Sequence, residues 1–155
     1  MFHRWAASVL VLALCAMTPK YAAGQQAQSP RGPGAGKLGR NYPNPFNPDT
    51  KIPFTVECSG NTTESHVVTM RILNILAQPV VTPILLGPAA NSTTSASSSL
   101  NGSRLSNLRL ACGAYEALWK GKVDGDGREA ASGTYIVQLF VDNKYAGSLR
   151  IYYRK

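Results

Sequence analysis

The chain has 155 residues, with 16 lysines and arginines against 8 aspartates and glutamates. That length is enough for about one domain. The basic residues are scattered along the sequence and do not form a stripe interleaved with aromatic residues, as nucleic-acid-binding modules do. We therefore predict a basic surface of a general kind and no nucleic-acid partner.

Residues 1–24 have the pattern of a Sec signal peptide. Arg4 precedes an uncharged, mostly apolar run over residues 5–17, and small residues lead up to Gly24. The run is shorter than the roughly 20 residues that span a membrane. We predict cleavage after Gly24 and no stable membrane insertion afterwards. A buried helix, or a lipoprotein anchored at Cys15, is the alternative.

A composition shift separates this leader from the rest of the chain. Residues 25–37 consist mainly of Gln, Ser, Pro and Gly, which predicts a flexible linker. The Pro-rich run over residues 41–48 follows, and its spacing predicts a polyproline II helix. On that helix Asn41, Asn44 and Asn47 would form a ladder docked along a sheet edge, unless the run is a plain tether.

From Lys51 onward the apolar residues alternate with polar ones, which is the period of β-strands with one buried face. Pro53 favours an edge position for the first of these strands. About seven strands and no helix are expected. Residues 38–155 are therefore predicted to be all-β, an antiparallel sandwich of the immunoglobulin or fibronectin type III kind. The clearest alternations are Ile52, Phe54, Val56 and Cys58; Val68, Met70 and Ile72; Leu108, Leu110 and Cys112; Tyr115, Ala117 and Trp119; and Tyr135, Val137, Leu139 and Val141.

Between these alternations the sequence predicts the connections. Residues 79–86 read as one short apolar strand, and residues 87–104 as a mobile Ser- and Asn-rich loop. Residues 121–133 hold several glycines and predict a long hairpin connection. Residues 142–144 predict a tight turn before the last strand.

Removal of the leader leaves two cysteines, Cys58 and Cys112, in a compartment that permits disulfides. A bond between them would close a long loop and stabilise the fold by roughly 4 kcal/mol. The alternative is two separately buried thiols. A zinc site on the pair is disfavoured, because His66 would be the one remaining histidine and a structural zinc site has four ligands.

Catalytic signatures are missing from the sequence. It contains no nucleophile with an associated base, no phosphate-binding loop and no evident carboxylate pair. The run Asp124-Gly125-Asp126-Gly127 departs from a calcium loop at later ligand positions and is read as a turn. We predict that the protein is not an enzyme and has no cofactor and no metal.

One motif carries a family resemblance. Asn41-Tyr42-Pro43-Asn44-Pro45-Phe46-Asn47-Pro48 resembles the opening of the C-terminal (type A) sorting domains of type IX secretion and of FlgD-like immunoglobulin-like domains from flagellar hook-capping proteins. The similarity continues through residues 70–80, 113–115, 119–122 and 127–135, and ends at Arg154-Lys155. It covers nearly all of the chain that follows the linker.

The resemblance implies a role. The protein would be a non-catalytic bacterial recognition domain, exported through Sec to the periplasm and read by type IX machinery for transfer to the cell surface. A structural or adhesive module of the cell envelope is the alternative, and in both cases the partners are proteins. The resemblance implies core anchors at Trp119, Gly121, Gly133 and Tyr135, and C-terminal recognition through Arg154 and Lys155.

Overall fold

A computed structural model describes residues 35–60, 64–89 and 100–155. The predicted signal peptide and most of the predicted linker lie outside these residues. The described part is all-β and contains no α-helix. Gly36 and Lys37, which we assigned to the linker, lie in the first strand.

In the described ranges, nine strands form two antiparallel sheets. They are β1 (Gly36–Leu38), β2 (Thr50–Val56), β3 (Ser65–Asn74), β4 (Pro79–Val81), β5 (Ile84–Pro88), β6 (Leu108–Ala111), β7 (Gly113–Trp119), β8 (Gly133–Val141) and β9 (Lys144–Tyr153). The first sheet has the order β1-β2-β7-β5, and the second has the order β4-β3-β8-β9 with β6 also paired to β3. Our count of about seven missed β1 and merged β4 with β5 into one strand.

The core lies between the two sheets, and the predicted alternation explains it. In β2 the side chains of Ile52, Phe54 and Val56 are buried, while Lys51 is exposed. The same period holds along β7 and β8. Because alternate side chains of a strand point to opposite faces, each sheet contributes one apolar face to a shared core. The β-sandwich expectation is thus confirmed at this level.

The edge position predicted for Pro53 is wrong. β2 is an interior strand that pairs with β1 on one side and β7 on the other. Proline is accommodated because β1 ends at Leu38, so no strand residue opposite requires the missing N–H. The Pro53 carbonyl still accepts a hydrogen bond from the Gly39 N–H at 2.8 Å.

Two further predictions, a single strand over residues 79–86 and a hairpin connection over residues 121–133, are also wrong. Residues 79–86 hold two strands, β4 and β5, which belong to different sheets. Residues 121–133 do not form a hairpin connection, because β7 lies in the first sheet and β8 in the second. In both places the chain crosses the core, which a local apolar pattern does not reveal.

The tight turn is confirmed. Asp142 and Asn143 have φ angles of 50° and 60° and join β8 to β9. Asx residues tolerate this left-handed conformation, which suits two-residue hairpins. The predicted mobile loop is only partly described, since residues 90–99 lie outside the described ranges. At the start of the predicted loop, β5 extends to Pro88. Just after its end, Leu105 is buried.

The described residues include no helix that is long and apolar enough to cross a membrane.

Candidate recognition surface

The Pro-rich motif over residues 41–48 contacts both sheets. Tyr42 and Lys51 of β2 exchange two backbone hydrogen bonds of 2.9 Å. Further along, the Phe46 N–H donates to the carbonyl of Tyr152, and the Phe46 carbonyl accepts from the N–H of Arg154, both at 3.0 Å. The motif is therefore a strap across one end of the sandwich, fixed to β2 at its start and to the end of β9.

Phe46 anchors the strap in the core. Its side chain is buried, with ring centroids 5.2 Å from Trp119 and 5.0 Å from Tyr153. Tyr135 packs edge-on against Trp119 at 4.9 Å. We call these four residues the aromatic cluster. Tilted and edge-to-face contacts of this kind stabilise beyond the apolar area that they bury, so the strap is part of the folded core.

The predicted amide ladder is wrong. The segment bends at residues 43–45 and 47–48, where a polyproline II helix was expected. Asn41 is buried, and its Nδ2 donates to Thr50 Oγ1 at 2.9 Å and to the Pro43 carbonyl at 3.1 Å. Asn44 Oδ1 accepts from the Tyr152 N–H at 3.0 Å, whereas Asn47 is exposed. The three amides thus have three different environments.

Two of the predicted anchors lie within the aromatic cluster. Trp119 and Tyr135 are buried, and the indole N–H of Trp119 donates to the Lys122 carbonyl at 2.8 Å. Gly121 supports the same end of the fold. It has a φ of +62°, and an added Cβ would lie 2.7 Å from the Pro48 carbonyl oxygen. A side chain there would therefore press on the strap.

Gly133 does not have the anchoring role that we assigned to it. It is exposed at the start of β8, and an added Cβ would meet no atom within 4 Å. The structure shows no packing contact that requires glycine at this position.

The C-terminal residues lie beside the strap. The Lys155 N–H donates to Ser132 Oγ at 2.9 Å, and its ammonium lies 3.3 Å from Glu129. A notch of about 360 Å³ opens between the strap and the chain end, lined by Pro45, Phe46, Asn47, Arg154 and Lys155. No local sequence pattern predicts this contact, because its two sides are more than 100 residues apart.

The surface around the strap is basic. Arg40 and Arg150 line a second hollow beside Asn41 and Asn44. Among the described residues, no carboxylate lies within ion-pair distance of Arg40, Arg150 or Arg154. We define the strap face as the exposed groups of residues 43–47 together with these arginines and Lys155. Lys155 is paired with Glu129, whereas the three arginines leave positive charge on this face that suits an acidic partner.

The opposite end of the sandwich holds the cysteines. A disulfide joins Cys58, just after β2, to Cys112, between β6 and β7, with the Cα atoms 5.8 Å apart. Nearby, His66 Nδ1 lies 2.6 Å from Asp142 Oδ2. This hydrogen bond is the main reason that the pKa of Asp142 lies below its ordinary value.

Comparison with known proteins adds little. No protein-family model matches the chain, and no curated protein matches it. A solved structure with some likeness is the Pseudomonas fluorescens alkylpurine DNA glycosylase AlkC bound to DNA containing an abasic site analog. The TM-score is 0.42 at 15% identity, and the match covers 79% of this chain and 31% of that one. So partial a likeness says nothing about what this chain does.

Proposed function

We propose that the chain is a non-catalytic recognition domain, exported through Sec and read by type IX secretion machinery as a sorting signal. Its fold would be the immunoglobulin-like sandwich of the resembling family. The observation that carries the proposal is the pairing of Phe46 with the end of β9. It places both extremes of the family pattern, the Pro-rich motif and Arg154-Lys155, on one surface.

Two tyrosines support the immunoglobulin-like assignment. The hydroxyl of Tyr135 donates to the Ala131 carbonyl at 2.6 Å, and that of Tyr115 donates to the Ala111 carbonyl at 2.7 Å. A buried tyrosine that bonds the backbone a few residues upstream is a recurrent corner in such sandwiches. Together with the two antiparallel sheets, this favours that class over other two-sheet arrangements.

Charge and shape support the recognition role. The strap is held rigidly by backbone hydrogen bonds, so a partner that reads it loses little conformational entropy on binding. The cations of the strap face would speed encounter with an acidic receptor and fix its orientation. A receptor could insert an acidic group into the notch between Asn47 and Arg154.

The test is export of a reporter carried by the full chain. A β-lactamase inserted between Pro30 and Arg31 keeps the native leader and the native C-terminus. In a host with type IX machinery we expect the reporter at the cell surface, where added protease degrades it in intact cells. A correctly folded fusion that stays in the periplasm would contradict the sorting role. The alternative, a structural or adhesive module of the cell envelope, would then be favoured.

Charge reversal tests the strap face itself. Arg154→Glu with Lys155→Glu should retain the fusion in the periplasm without unfolding it. The matched control is Arg109→Glu with Lys144→Glu, an equal change of charge at the other end of the sandwich. Truncation of the chain end is not a suitable test, because Ile151 and Tyr153 belong to the core.

A further inference from the structure

Four potential metal ligands meet at the cysteine end of the sandwich. Cys58, Glu64, His66 and Cys112 each offer one ligand atom, and these atoms all lie within 4.8 Å of one another. Strand pairing brings them together, since Ser65 pairs with Ala111 and Val56 pairs with Gly113. The group draws on both sheets, and Glu64 is the fourth ligand that was missing when the sequence disfavoured a zinc site on the cysteines and His66.

His66 is oriented as a metal ligand would be. Its Nδ1 is hydrogen-bonded to the Asp142 carboxylate, which in turn accepts from the Val67 N–H at 2.9 Å. This contact fixes the ring and favours the tautomer with the proton on Nδ1. A carboxylate behind the second ring nitrogen is the usual support of a metal-bound histidine.

The other nitrogen of that ring is left without a partner. Nε2 is buried and has no hydrogen-bond partner among the described residues. Its nearest charged neighbour is Glu64 Oε2 at 3.8 Å, beyond hydrogen-bonding distance. Buried polar atoms are normally satisfied, so an unpaired Nε2 beside two sulfur atoms points to a missing ligand.

We propose that the dithiol form of this chain binds one Zn²⁺ through Cys58, Cys112, His66 Nε2 and Glu64. Two thiolates, an imidazole and a carboxylate are zinc ligands, whereas calcium and magnesium require oxygen donors. In a tetrahedral zinc site neighbouring ligand atoms are roughly 3.3–3.8 Å apart. The Nε2–Oε2 distance of 3.8 Å is roughly 0.4 Å longer than a tetrahedral N–Zn–O edge, a gap that the partly exposed Glu64 side chain closes by a small rotation.

The disulfide and the metal exclude each other. A dithiol reductant converts the Cys58–Cys112 bond to two thiols and is itself oxidised to a disulfide. Zn²⁺ then displaces one proton from each thiol, and the sulfur atoms separate by side-chain rotation. The zinc would join the end of β2 in the first sheet to the start of β3 in the second, whereas the disulfide joins the end of β2 to the β6–β7 junction.

The experiment uses the full chain with Cys15→Ala, which removes the third cysteine of the sequence. The protein is reduced with a phosphine, freed of reductant under anaerobic conditions and titrated with Co²⁺ and then Zn²⁺. We expect one metal per chain, visible bands of tetrahedral Co²⁺ with a sulfur charge-transfer band, and displacement of Co²⁺ by Zn²⁺. Bound Zn²⁺ should also protect both thiols from alkylation.

Variants assign the ligands. His66→Gln should abolish the tetrahedral spectrum, while His3→Gln, the matched change at the other histidine, should leave it intact. Asp142→Asn keeps a residue suited to the turn and should weaken zinc binding about 10–100-fold. Glu64→Gln should also weaken binding, and an unchanged affinity would remove Glu64 from the site.

Two results would overturn the site as a whole. One is a reduced, folded chain that takes up no metal. The other is a His66→Gln variant that binds as tightly as its parent. If the reduced metal-free chain is unfolded, Zn²⁺ should restore its β-sheet circular dichroism, and failure to do so would equally refute the site. None of these outcomes depends on the sorting role, which is measured in cells on the oxidised protein.

Discussion

The two ends of this sandwich are closed in different ways. At the strap end, the aromatic cluster and two backbone hydrogen bonds from Phe46 hold residues 41–48 against both sheets. At the cysteine end, the disulfide and the polar contacts of His66 hold β2, β3 and the β6–β7 junction together. The first closure is apolar and non-covalent, and the second is covalent and polar.

The two closures differ in how they respond to redox conditions. Burial of aromatic side chains depends little on redox state, whereas the cysteine end changes when the disulfide is reduced. The strap end should therefore keep its shape in oxidising and in reducing compartments alike. The cysteine end should respond to oxidant and to metal, which is the property that the proposed zinc site would exploit.

The largest effect should come from the strap end. Trp119→Ala removes the centre of the aromatic cluster and should lower the free energy of unfolding by roughly 3–5 kcal/mol. The matched control is Tyr152→Ala, an exposed residue between two buried ones, which should cost less than about 1 kcal/mol. Urea titration of both variants checks the comparison. A small loss for Trp119→Ala would mean that the cluster is not the main closure.

Breaking the other closure should cost nearly as much. Cys112→Ser opens the loop between two residues separated by 54 positions and should reduce stability by up to roughly 4 kcal/mol. Cys15→Ser, in the predicted leader, should have no effect on the folded domain. Thiol labelling before and after reduction identifies the bonded pair. Labelling of Cys58 in the native unreduced protein would contradict the disulfide.

Two glycines at the strap end should differ in the stability that an added methyl group costs. Gly121→Ala adds a Cβ 2.7 Å from the Pro48 carbonyl at a positive φ, and we expect a loss of roughly 1–3 kcal/mol. Gly133→Ala meets open space and should change stability by less than about 1 kcal/mol in either direction. Thermal unfolding of the two variants should separate them clearly. Equal losses would show that the strap yields to the added methyl group.

The smallest effect concerns pH. Burial raises the pKa values of Tyr115 and Tyr135 above their ordinary value of about 10. A group whose pKa is raised by folding contributes stability below the unfolded pKa, and that contribution is lost as the pH rises above about 10. Absorbance titration should show these two phenols ionising above the ordinary tyrosine pKa of about 10. Removing both hydroxyls by substitution with Phe should flatten this alkaline loss.

Much of the fold was predictable, because it depends on local pattern. Alternation identified the buried faces of β2, β7 and β8, and the Asp142-Asn143 turn followed from the backbone preferences of Asx residues. What failed was the assignment of strands to sheets. β4 and β5 are separated by only two residues yet belong to different sheets, and no local pattern distinguishes such a crossing from a continuous strand.

The surface was less predictable than the fold. The Pro-rich motif was recognisable as a motif, but its expected amide ladder was wrong because Asn41, Asn44 and Asn47 lie in three different environments. Asn44 bonds a residue 108 positions away, and such a partner exists only once β9 is in place. Gly133 shows the opposite failure, since a residue that fits the family pattern has no evident packing role.

By itself the sequence determined the all-β class, the inward faces of the main strands and the two cysteines available for a bond. These follow from period-two burial and from composition, which are properties of neighbouring residues. Only the tertiary structure decided that Phe46 meets the end of β9 and that His66 faces Cys58 and Cys112. Such contacts depend on which strands pair and on which sheet each strand joins, and the global burial of apolar surface selects that arrangement.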